Sequence, residues 1–158
     1  MNTETKPKKE SKLDIDSNYD LRLVSTLSPA LRWVLTLPIA FIAMFAVQVG
    51  FGTLVKLINS NLPMGEIVNT IMLSTVMLAK YAIFVIAATS TAPVVRNKKF
   101  IAAIAAAFIG ALLCVGGTAI SLSLSVAIDK TMLISTFAAS ILGLLLGIWK
   151  VRSSISKP

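Results

Sequence analysis

A lysine set inside an apolar run is the residue in this chain that most needs a chemical reason, and Lys80 lies near the middle of such a run. An ammonium at mid-membrane depth costs about 2.5–3.5 kcal/mol on insertion scales, so it calls for polar neighbours, a counter-charge or a wet path. Counting inward at ~1.5 Å per residue, Gln48, Cys114, Ser135 and Thr136 on the other apolar runs fall at nearly the same depth, about 20 Å in. With Lys80 they form a candidate mid-membrane polar layer. Its chemistry would be hydrogen bonding and charge pairing. Three uses of Lys80 are open: a structural lysine bonded to Gln48 and carbonyls, a docking charge for an acidic residue of another membrane protein, and a pore or anion-site lysine. A weaker signal comes from Thr118, Ser121 and Ser125, which share a face of the third run, because Ser and Thr hydroxyls readily bond their own helix.

The elements that must position these groups are four long apolar segments, at 30–58, 67–94, 100–128 and 131–149, each able to supply the ~20 residues that cross a bilayer. They predict an all-α integral membrane four-helix bundle. In the first, Ser28 followed by Pro29 reads as an N-cap with proline at the first helical position, and Pro38 lies inside the span. Ahead of it, residues 1–20 mix charge with Thr, Ser, Asn and Pro, which predicts a disordered charged tail. Residues 21–29 suit a short interfacial helix, and 150–158 a C-terminal tail. Short external connections make two antiparallel hairpins, joined by the Arg96–Lys99 turn.

Orientation follows from the basic residues. Twelve flank the ends that share a side with the N-terminus, only Lys56 and Lys130 flank the other, and Lys80 is left inside, so both termini are expected in the cytoplasm. The same placement explains the net charge of +8 without a nucleic-acid partner. No cleavable signal peptide fits, because the first apolar run begins behind a charged tail and is too long for an h-region.

Close helix packing in lipid uses small residues four apart. Ser135, Ala139, Gly143 and Gly147 form such a ladder in the fourth run, and Ala106, Gly110, Cys114 and Thr118 in the third, so these two faces are expected to meet or to serve a partner.

Absences narrow the function. The chain has no histidine, one cysteine and no acidic residue at membrane depth, which argues against His-ligated metal, haem ligation through His, imidazole proton relays and carboxylate-driven transport. No Gly-rich phosphate loop and no nucleophile with a matching base is present, so neither an enzyme nor a bound cofactor is expected.

The entry LRWVLTLPIAF, with Leu31-Arg32-Trp33 and Pro38, and the later TAPVVRNKK, with Ala92-Pro93 and Lys98-Lys99, resemble small uncharacterised bacterial four-span membrane proteins. The resemblance covers about the first two-thirds of the chain and implies a bacterial inner membrane location. The expected role is a non-enzymatic interaction or accessory subunit of a membrane complex, surrounded by lipid and paired with another membrane protein or with itself. The alternatives are a small holin-like or anion-conducting pore that uses the Lys80 layer, and a membrane immunity or exclusion protein.

Overall fold

Each of the four apolar segments is a helix in the computed structural model, which describes residues 15–16, 18–62, 65–123 and 129–156. The described residues form α1 (Arg22–Ser25), α2 (Pro29–Asn61), α3 (Glu66–Thr91), a 3₁₀ turn (Arg96–Lys98), α4 (Lys99–Ser123) and α5 (Lys130–Ile155). The four long helices are long and apolar enough to cross a membrane, as the sequence predicts. Residues 1–14 of the expected tail and Ser125 lie outside the described residues.

Local chemistry sets the helix ends. The Ser28 hydroxyl accepts the Leu31 N–H at 3.4 Å while Pro29 occupies the first helical position, and α2 runs through Pro38 without breaking. α3 stops at Thr91 because Ala92 precedes Pro93 and is extended, which trims three residues from the expected span. The Asp129 carboxylate caps α5 by accepting the Thr131 N–H at 2.9 Å. At its other end α5 continues through Lys150–Ile155, where a tail is expected from the sequence. No Gly or Pro interrupts that stretch, Val151 is fully buried, and Arg96 Nη2 donates to the Ile155 carbonyl at 3.0 Å.

α3 is the hub of the bundle: it packs against α2, α4 and α5, with its largest contact to α5, and α4 and α5 also pack on each other. Phe84, Val85 and Ala88 of α3, Ala103 of α4 and Leu144 of α5 form the middle of the core, and Phe41 of α2 meets the Phe84 ring edge-on at 5.7 Å between centroids. Most of each span's apolar surface faces outward, as on helices whose solvent is lipid.

The small-residue ladders are placed differently from the expectation. Gly143 and Gly147 of α5 press on α3 rather than on α4: a Cβ at Gly143 would come 2.3 Å from the Leu78 carbonyl oxygen, and one at Gly147 would come 2.7 Å from Val85 Cβ. Gly110 of α4 makes room for Leu144 of α5 and for the Phe84 ring. Ala139 and Ala106 are buried within the same bundle. Spacing of four identifies a face on each helix but does not say which neighbour will meet it.

Candidate functional site

A cavity of about 220 Å³ lies where α3, α4 and α5 converge, and Lys80 lines it. α3 contributes Met77 and Tyr81 beside the lysine, α4 contributes Cys114, Thr118 and Ser121, and α5 contributes Thr136 and Ser140. Four hydroxyls of this lining donate to carbonyls of their own helices: Thr118 to Cys114 (2.8 Å), Ser121 to Gly117 (2.9 Å), Thr136 to Met132 (2.8 Å) and Ser140 to Thr136 (2.8 Å). A hydroxyl whose proton is committed in this way keeps its lone pairs for another donor. The ammonium of half-buried Lys80 makes no hydrogen bond with any described residue; it lies 5.7 Å from the centroid of the adjacent Tyr81 ring, and Cys114 lines the same cavity. The cavity therefore holds one cation among acceptors, with space for water or for a small polar group.

Of the five residues of the expected layer, Lys80, Cys114 and Thr136 are brought together here, while Gln48 and Ser135 are not among the residues that line the cavity. Gln48 lies on α2, its amide beside Gly52 one turn along the same helix and its Oε1 buried without a hydrogen-bond partner. Ser135 is turned about 100° around α5 from Thr136 and lines a separate cavity of about 410 Å³ with Glu66, Thr70, Asp129 and Thr131. Equal depth along four helices does not place four side chains on one side of them.

A second polar site lies at the Ala92 end of α3. The chain before α1, residues 15–16 and 18–21, turns back as a strap. The Asp16 carboxylate accepts the N–H groups of Asn18 (2.9 Å) and Asp20 (2.8 Å), Tyr19 takes a left-handed φ of 62°, and the Leu21 N–H donates to the Ser90 carbonyl at 2.9 Å. The Tyr19 ring is buried in the core cluster, and Asp20 is delivered to Arg32 and Lys99.

Arg32 grips Asp20 with both terminal nitrogens, and Lys99 Nζ donates to Asp20 Oδ1 at 2.6 Å. The same cations close the end of α3. Arg32 Nε donates to the Thr91 carbonyl (3.1 Å), and Lys99 Nζ to those of Thr89 (3.0 Å) and Ala92 (2.7 Å). The Thr89 and Thr91 carbonyls have no partner further along their own helix, the Ala92 carbonyl also accepts the Val94 N–H at 2.9 Å, and the negative end of the helix dipole favours cations there. Lys99 is fully buried and Arg32 nearly so. Burial pushes the Asp20 carboxyl up, but the hydrogen bonds from Arg32 and Lys99 outweigh it and hold the group below its ordinary value.

The expectation of a disordered tail through residue 20 is thus corrected for its last residues. Composition alone counts Asp20 as one more polar residue, whereas two buried cations, themselves held by helix-end carbonyls, give it partners that fix it. The available signal was an acidic residue twelve positions ahead of a lone arginine inside the first turn of a span.

No protein family, no curated protein and no solved structure matches this chain.

Proposed function

We propose that the chain is a non-enzymatic interaction subunit of a membrane complex, seated in a bacterial inner membrane with both termini cytoplasmic and consecutive spans antiparallel. The Lys80 ammonium, which meets no carboxylate among the described residues, carries this reading. A cation held at mid-depth in a cavity that offers acceptors but no carboxylate is suited to receive an acidic side chain from outside the chain. A second copy has none to offer, because the acidic residues of this sequence all lie in its first 20 positions or at Glu66 and Asp129. The partner is therefore a different protein with an Asp or Glu inside a span.

Replacing Lys80 by Leu removes the charge and keeps an apolar stem. Purification of tagged wild type and Lys80→Leu from native membranes in mild detergent should give equal amounts of folded protein, with a companion protein retained only by the wild type. The same companion on both would sink the reading.

The hydroxyl lining favours one second reading, a small pore with Lys80 in its path. Anion flux through proteoliposomes of the pure protein, absent in Lys80→Leu, would establish it in place of the first.

A further inference from the structure

Arg32 and Lys99 form a two-cation receptor for a single oxyanion, and it is filled by a residue of the strap. Two cations share the Asp20 carboxylate by direct contact, with Asp16 acting on Lys99 from further off, so loss of Asp20 leaves the pair in cationic excess. The geometry of the donors, a guanidinium fork beside an ammonium, suits a phosphate at least as well as a carboxylate.

An apolar groove adjoins this receptor. It has a volume of about 210 Å³, opens between α2, α3 and α4, and is lined by Trp33, Leu37, Ala92, Ala102, Ala105 and Ile109. Ala92 joins the two features, because its carbonyl accepts from both Arg32 Nη2 (3.3 Å) and Lys99 Nζ (2.7 Å) while the residue borders the groove. Alanines on α4 leave room along the groove, and Trp33 marks its interfacial end.

We propose that this is a binding site for an anionic phospholipid, in which the lipid phosphate and Asp20 compete for Arg32 and Lys99 and an acyl chain lies in the alanine groove. The strap is then an internal occupant: seated, it excludes the headgroup, and released, it leaves the cation pair to the lipid. Basic pockets between spans are suited to such headgroups, and a zwitterionic lipid offers the same cations a weaker net attraction. This inference concerns the Ala92 end of α3, about three turns along the helix from Lys80, and stands independently of the Lys80 reading.

The test uses the full chain in mild detergent, as wild type and as Asp20→Ala, titrated with phosphatidylglycerol or with phosphatidylcholine of identical acyl chains. Native mass spectrometry should show at least tenfold tighter retention of phosphatidylglycerol by Asp20→Ala than by the wild type, with phosphatidylcholine unchanged. Equal retention of the two lipids by the variant would overturn the proposal. If the variant is less stable, phosphatidylglycerol and not phosphatidylcholine should restore its unfolding midpoint, and no restoration would also overturn it. Inorganic phosphate at millimolar concentration should give no comparable rise. A rise equal to that from the lipid would assign the cation pair to soluble oxyanions and refute the lipid site.

Discussion

At the residue scale, Asp20 and Lys80 are opposite cases of one problem, a charge withdrawn from water. Asp20 has two cationic partners, and its depressed pKa makes the strap pH-sensitive in a defined direction. A carboxyl whose folded-state pKa lies below its unfolded value contributes stability that is complete above the unfolded value and is lost as pH falls through the folded one. The contribution of Asp20 should therefore be full at neutral pH and fade only below its ordinary value of 3.8. Asp20→Asn should lower stability by roughly 3 kcal/mol at pH 7, the low end for breaking a buried ion pair. Thermal unfolding in detergent from pH 7 to pH 3 should show the gap between wild type and variant narrowing at the acid end. A gap constant with pH would mean that Asp20 acts by shape alone. Lys80 was legible in the sequence because a lone charge in an apolar run is conspicuous, whereas Asp20 was hidden among other charges, its partners 12 and 79 positions away.

At the element scale, the span positions follow from hydropathy, and the ends follow from caps and from Pro93. Partner choice was less legible, since Gly143 and Gly147 advertise a close approach without naming the helix that approaches. Gly143 supports a sharp prediction. The Cβ of Gly143→Ala would meet the Leu78 backbone 2.3 Å away, so α3 and α5 must separate, at about 1–3 kcal/mol as for other overpacked cores. Gly116→Ala, with no atom within 4 Å of its added methyl, should leave the unfolding midpoint unchanged or slightly higher. Equal unfolding midpoints in the two variants would show that the α3–α5 contact at Gly143 does not decide the outcome.

At the scale of the whole molecule, sidedness rests on charge placement, which labelling can test directly. In a Cys114→Ala background, an impermeant maleimide added to intact cells should modify Ser60→Cys but neither Asn97→Cys nor Ser156→Cys, since all three positions are exposed and the last two belong with the basic ends. Modification of Asn97→Cys from outside would invert the topology. The strap also orders events in time. Its ion cluster unites Asp20, Arg32, the final carbonyls of α3 and Lys99, so its last component is made 79 residues after its first. While a ribosome is still feeding the first two spans into the membrane, the Asp20 carboxylate and the Arg32 guanidinium have only each other. The knot can be tied only when the third span begins to emerge, so its closure marks the moment at which the first half of the chain is committed to the second.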